Sequence, residues 1–295
     1  MPSSLLRPLL TVFAGSVLAT GLFAQTPAAP KLEFPAASPA ATLKQRVGIT
    51  DIEITYSRPS MRGRKIFGGL EPYGAVWRTG ADNATKITFS TPVKFGGVDV
   101  PAGTYALFSI PGESEWTVIL NRVSGQWGSY GYDAANDVAR ARVKPVALAT
   151  PVETFAIGIA DIGSNSATLY LAWENTRVPV KLEVDVVGML VPQVEAVMAS
   201  SAEKKPYFSA AMFYYANNLD LDKALAWMDA GLAEQPKAYW MIYRKGLILA
   251  KKGDKAGAIA AAKQSLALAA SDPKAPPPLK EEYTRLNHAL IASLQ

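Results

Sequence analysis

The spacing of apolar residues changes once along this chain, and that change constrains its architecture more than any other feature. Through residues 43–187 apolar side chains recur at every second position, which is the period of half-buried β-strands. After Val187 they recur every three to four positions, which is the period of helices. The sequence therefore predicts an α+β chain, in which an antiparallel β-sandwich, residues 42–188, precedes an all-α module, residues 189–295.

Turn residues divide the β part into short strands. Gly96-Gly97 lies between two apolar runs and supplies the positive φ that a tight hairpin needs, and Pro111-Gly112 marks another turn. Such signals recur at short intervals without helical patterns between them. We therefore expect mainly antiparallel strands that pack as two sheets.

The helical part contains matches at a spacing of 34 residues. Ala216 matches Ala250 and Asp220 matches Asp254 at this spacing, which is the period of tetratricopeptide repeats. The pattern predicts helical hairpins of tetratricopeptide-like form. Because fewer than three repeats rarely bury enough surface alone, the module should pack against the β domain, its flanking helices or a protein partner.

The N-terminal residues are predicted to lie outside the folded domains. A basic start, an apolar run at residues 9–23 and the small residue Ala24 together indicate a signal peptide, residues 1–24. The alternative is an uncleaved membrane anchor, for which the apolar run is short. Residues 25–41 are rich in proline and alanine, which predicts an extended linker. We therefore expect an exported protein, periplasmic or extracellular, whose mature chain has no membrane span.

Composition excludes several common chemistries. The chain has no cysteine, which excludes disulfides, thiolate nucleophiles and cysteine zinc sites. Its one histidine, His288, lies in the helical part, so the β domain has no nucleophile–histidine pair. The net charge of +5 is modest and spread along the chain, which argues against a nucleic-acid partner. No cofactor and no metal site are predicted.

Several motifs of the β part resemble a known family. They are the stretch from Tyr56 to Leu70, the block Trp77 to Asn83 (WRTGADN), the stretch Pro101 to Pro111 and the segment Gln126 to Tyr130 (QWGSY). Together they are similar to the domain-of-unknown-function 2911 family of exported bacterial proteins, over about residues 38–186. The resemblance implies an exported β domain with a helical tail, and it implies no activity, ligand or catalytic residue.

The first candidate site is the cationic loop, residues 58–70. It carries Arg58, Arg62, Arg64 and Lys65 beside glycines, with no acidic residue before residue 71. Such side chains bind carboxylate, sulfate or phosphate groups, because arginine offers a planar fork of donors. Alternatively, these arginines pair with the domain's own carboxylates or cap its backbone carbonyls.

The second candidate is the turn that carries Trp77, Arg78, Asp82 and Asn83. An aromatic ring, a cation, a carboxylate and an amide are the mixture that carbohydrate and peptide sites use. The alternative is an arginine–carboxylate clasp that staples a long β connection and keeps Trp77 in the core.

The third candidate is the aromatic loop at residues 126–133, with Trp127 and Tyr130. Such loops present stacking surfaces for sugars or other ligands, or else they fold their rings over the core as a lid. The candidate ligand-binding residues are therefore Arg58, Arg62, Arg64, Lys65, Trp77, Arg78, Asp82, Asn83, Trp127 and Tyr130.

The sequence favours a non-catalytic binding protein for a small anionic or carbohydrate ligand, with a helical module that engages a protein. The first alternative is a carboxylate-dependent glycan hydrolase or lyase, and the second is a structural envelope component. An enzyme would draw on the carboxylates of Glu71, Asp82, Asp133, Asp137 and Glu174. No sequence spacing brings two of them together, and Asp137 can pair with Arg140 instead.

Overall fold

The β part forms two antiparallel sheets in a computed structural model that describes residue 32 and residues 34–295. The predicted signal peptide and about half of the predicted linker, residues 25–31 and 33, lie outside the described residues. The first strand begins at Ala40, inside the predicted linker, because Ala40 and Ala41 pair with Ser57 and Tyr56 of the next strand.

The two sheets contain ten strands. Their bounds are β1 Ala40–Val47, β2 Thr50–Ser57, β3 Ala81–Phe89, β4 Val93–Phe95, β5 Val98–Val100, β6 Gly103–Ile110, β7 Trp116–Asn121, β8 Asp137–Val143, β9 Val146–Ala160 and β10 Ser166–Glu183. One sheet has the order β1-β2-β3-β6-β7-β8, and the other has the order β5-β4-β10-β9. All the strand pairs are antiparallel, as predicted.

The main core lies where the apolar faces of the two sheets meet. Ile52 and Ile54 of β2 and Val178 and Val180 of β10 all belong to it, and all four are buried. Their period-two spacing places one face of each strand inward, as the sequence pattern predicts. The antiparallel two-sheet fold is therefore confirmed.

Six helices follow the sheets. Their bounds are α1 Val186–Ala199, α2 Tyr207–Ala216, α3 Leu221–Glu234, α4 Tyr239–Lys251, α5 Lys255–Ser271 and α6 Pro277–Leu294. Among the described residues no helix is both long and apolar enough to cross a membrane. The helical module is confirmed, and its tetratricopeptide-like character stays a prediction.

Helix α1 connects the two parts of the fold. Val186 and Met189 pack against the core of the sheets, and Val194 packs against the helical core formed mainly by α2, α3 and α4. The hydroxyl of Tyr214 donates to Glu195 of α1 at 2.5 Å, and Lys223 donates to the same carboxylate at 2.6 Å. The helices therefore pack on the β part through α1. The sequence predicts this as one of the ways in which so few repeats can bury enough surface.

Candidate functional site

Trp77 lies in the core and offers no face to a ligand. It is 2% exposed and stacks on Trp173, with ring centroids 5.8 Å apart. The rings of Phe67, Phe155 and Trp116 contact it edge-on. This position matches the alternative interpretation of the second candidate, in which Trp77 belongs to the core.

Hydrogen bonds within the chain hold the turn after Trp77. The Trp77 indole Nε1 donates to the Gly80 carbonyl at 3.0 Å, and the Thr85 hydroxyl donates to the Thr79 carbonyl at 2.6 Å. Two backbone hydrogen bonds also join Trp77 to Ser109 of β6. The turn is therefore a rigid connection, and it fixes where the residues after it emerge.

Two arginines of the cationic loop bind backbone carbonyls, Arg58 a carbonyl of β9 and Arg64 two carbonyls within the loop. Arg58 Nε donates to the Phe155 carbonyl at 2.9 Å, and Arg64 donates to the carbonyls of Met61 and Ser60 at 2.9 and 2.6 Å. The backbone N–H of Arg62 donates to Glu153, and Lys65 is exposed. Arg58 and Arg64 thus cap carbonyls, as the alternative for this loop describes.

Arg78 lies beside Glu71 at the end of the cationic loop. Both side chains are partly buried, and Arg78 Nε is buried with no hydrogen-bond acceptor in the described part of the chain. Burial raises the pKa of Glu71 from 4.5 to about 7, and the nearby Arg78 charge opposes that rise. Glu71 is therefore largely protonated below neutral pH.

The second and third candidate loops meet in the structure. A bulge in β3, between Ala81 and Lys86, carries Asp82 and Asn83 away from β2. There Asn83 forms a β-bridge with Trp127, and the Gly128 N–H donates to the Asp82 carbonyl at 2.9 Å. Two segments about 45 positions apart in the sequence thus form one surface.

Two large aromatic rings are exposed on this surface. Trp127 is 66% exposed and Tyr130 is 82% exposed, and the two rings stack with centroids 5.6 Å apart at 16°. Asp82 and Asn83 are exposed beside them. We call these four residues, Trp127, Tyr130, Asp82 and Asn83, the aromatic platform.

Gly128 allows the two rings to stack, although it was not predicted as a site residue. Its φ is +67°, and a Cβ at this position would lie 2.7 Å from the ring of Tyr130. A glycine between two aromatic residues in a loop is the sequence signal that could have identified it.

A polar network anchors the loop that carries the platform. The Tyr132 hydroxyl donates to Asp137 at 2.7 Å, and Arg140 donates to the same carboxylate oxygen at 2.6 Å. Asn121 Nδ2 donates to Asp137 and to the Asp133 carbonyl. Asp137 therefore pairs with Arg140, as the sequence analysis allows. Through Tyr132 and Asn121 it also holds the loop that carries the platform.

The remaining carboxylates each interact with groups of the chain itself. The Glu174 carboxylate accepts long hydrogen bonds from the backbone N–H groups of Ile66 and Phe67, at 3.5 and 3.4 Å. Asp133 accepts from the Ala135 N–H, and the charged group that acts on Glu71 is Arg78. In the described part of the chain no three acidic or histidine side chains are grouped so as to hold a metal ion.

Comparison with known proteins identifies a family whose function is not described. Residues 38–182 match the model of the family described as "Protein of unknown function (DUF2911)". Comparisons with curated proteins and with solved structures find no match to the chain. The description of the family states no ligand or reaction, so the function has to be argued from the site.

Proposed function

We propose that the chain, which belongs to the DUF2911 family, is an exported, non-catalytic carbohydrate-binding protein. The observation that carries this proposal is the exposed, stacked pair Trp127 and Tyr130 beside Asp82 and Asn83. Export is inferred from the N-terminal sequence, and the protein-interaction role of the helices remains a prediction.

The exposure of two stacked rings favours a binding surface. Large aromatic side chains gain free energy when they leave water, and most tryptophan residues are largely buried. Here Trp127 and Tyr130 cover each other on one face and leave the rest of each ring to solvent. An apolar surface of this kind marks a place where a ligand or partner binds.

The polar neighbours of the rings favour a sugar as the ligand. A sugar ring has an apolar face of C–H groups, which stacks on an aromatic ring, and hydroxyls at its edge. The Asp82 carboxylate accepts hydrogen bonds, and the Asn83 amide both donates and accepts them. Arg58 and Arg64 are bound to backbone carbonyls, so an anionic ligand at the cationic loop has less support than a sugar at the platform.

The platform is held rigidly enough to recognise a ligand. Backbone hydrogen bonds from Ala84 to Gln126 and from Gly128 to Asp82 join its two segments, at 3.0 and 2.9 Å. The side chain of Gln126 also donates to the Val123 carbonyl at 2.8 Å. Because the groups are positioned before a ligand arrives, binding orders few side chains and loses little entropy.

The test measures binding of the full mature chain to a panel of polysaccharides, including cellulose, chitin and peptidoglycan. We expect at least one of them to bind, and we expect Trp127→Ala and Tyr130→Ala each to weaken that binding at least tenfold, or about 1.4 kcal/mol. Quenching of tryptophan fluorescence by the bound glycan supplies a second readout.

Trp240→Ala is the matched control. Trp240 is also exposed, at 39%, but it lies on α4, so its replacement should leave the affinity unchanged. The proposal is wrong if the wild-type protein binds none of the glycans, or if Trp127→Ala binds as tightly as wild type while both proteins show the same thermal transition.

A further inference from the structure

An open groove of about 540 Å³ lies where the β4–β5 turn meets strands β8 and β10. Three basic side chains line it: Arg142 at the end of β8, Lys144 just after that strand and Lys181 from β10. We call these three residues the basic groove. None of them was a candidate in the sequence, because Lys181 is distant in the chain from Arg142 and Lys144.

The glycine turn between β4 and β5 shapes this groove. Gly96 and Gly97 have φ values of +55° and +89°, as the sequence predicts for a tight hairpin. A Cβ on Gly96 would collide with the methyl group of Ala141 in β8, so glycine is needed for the turn to approach that strand. The Gly96 N–H also donates to the Lys181 carbonyl at 2.8 Å.

The side chains of the basic groove are available to a ligand. The Arg142 side chain is 77% exposed and that of Lys181 is 66% exposed, and Lys144 is exposed as well. By contrast, two arginines of the cationic loop are bound to backbone carbonyls. The structure therefore places exposed positive charge at a second location, which the sequence did not indicate.

One acidic residue lines the groove. Glu183 accepts from Lys181 at 2.7 Å. Outside the groove, Glu115 lies 3.9 Å from Arg142, a distance beyond a hydrogen bond. With Glu115 included, three cations against two carboxylates leave one net positive charge, and like charges that converge are stabilised by a bound anion.

We propose that the basic groove binds a phosphate or sulfate group. The guanidinium of Arg142 offers paired donors that fit the oxygens of such a group, and Lys144 and Lys181 add two point charges. Val143 and Pro179 form apolar walls beside the cations, so the anion can be part of a larger molecule. This site is separate in sequence from the aromatic platform and does not depend on the proposed carbohydrate function.

Isothermal titration of the full mature chain with inorganic phosphate and inorganic sulfate at constant ionic strength tests this proposal. We expect saturable binding that falls at least tenfold in Arg142→Gln and in Lys144→Gln. Arg46→Gln is the matched control, because Arg46 is an exposed strand arginine 3.7 Å from an acidic residue in β2. It should bind the anions as wild type does.

Glu183→Gln should strengthen binding several-fold, because it removes the carboxylate that competes for Lys181. This gain cannot come from a loss of folding.

Titrations with glucose 6-phosphate and with phosphatidylglycerol vesicles show whether the bound anion belongs to a sugar phosphate or to a lipid headgroup. Binding of either one that is weakened in Arg142→Gln and Lys144→Gln supports the site. The proposal is overturned if wild type binds neither inorganic anion, or if Arg46→Gln lowers the affinity as much as Arg142→Gln.

Discussion

Trp77→Ala is expected to lower the free energy of unfolding by about 4 kcal/mol, the usual effect of truncating a large buried aromatic residue. Trp77 is 2% exposed and contacts four other aromatic rings. Its removal leaves a cavity between the two sheets and frees the carbonyl of Gly80, which accepts the indole N–H. Urea unfolding followed by far-ultraviolet circular dichroism measures the change.

Trp127→Ala is the control, because it makes the same substitution on an exposed side chain. At 66% exposure Trp127 loses little burial on truncation, so its unfolding free energy should change by less than about 1 kcal/mol. Equal destabilisation by the two variants would show that Trp127 is part of the folded core, and that result would remove the argument for the aromatic platform.

Glu71→Gln is expected to stabilise the protein at pH 8 and to change little at pH 5. Burial raises the pKa of Glu71 to about 7 in the folded chain, against 4.5 for an exposed glutamate. Between these two values the folded chain binds more protons than the unfolded chain, so the stability of wild type falls as the pH rises through this range. Glutamine resembles the protonated carboxyl and removes this dependence.

The size of the Glu71 effect follows from that difference in pKa. After allowance for partial solvent exposure, we expect the variant to be more stable than wild type at pH 8 by on the order of 1–2 kcal/mol. The measurement is a series of urea unfolding curves from pH 5 to pH 8. Glu113→Gln, at an exposed position before β7, controls for the loss of one negative charge. A pH dependence of stability that is the same in Glu71→Gln and wild type would contradict the assigned burial of this carboxyl.

The two tryptophans show how far local sequence can predict the candidate site. Trp77 and Trp127 both lie near glycines in connections between strands, and nothing in their neighbouring residues separates them. One is buried by rings from Phe67, Phe155 and Trp173, which come from other parts of the chain. The other is left exposed because its loop folds against the β3 bulge. Long-range packing therefore decided which of them can meet a ligand.

The basic residues also show that local sequence does not predict which side chains are available to a ligand. Arg58 and Arg64 are close in sequence, and this predicted an anion site, but their guanidinium groups reach nearby carbonyls. Arg142 and Lys181 are far apart in sequence, and the contact between the β4–β5 turn and β8 brings them to one groove.

The sequence alone determined the antiparallel strands, the change to helices near Val187 and the glycine hairpin at residues 96–97, because these depend on residue spacing and on local backbone preference. Only the tertiary structure decided which aromatic rings are exposed, which cations remain accessible and which loops meet. Those properties depend on contacts between residues that are distant in the chain, and a local pattern does not contain them.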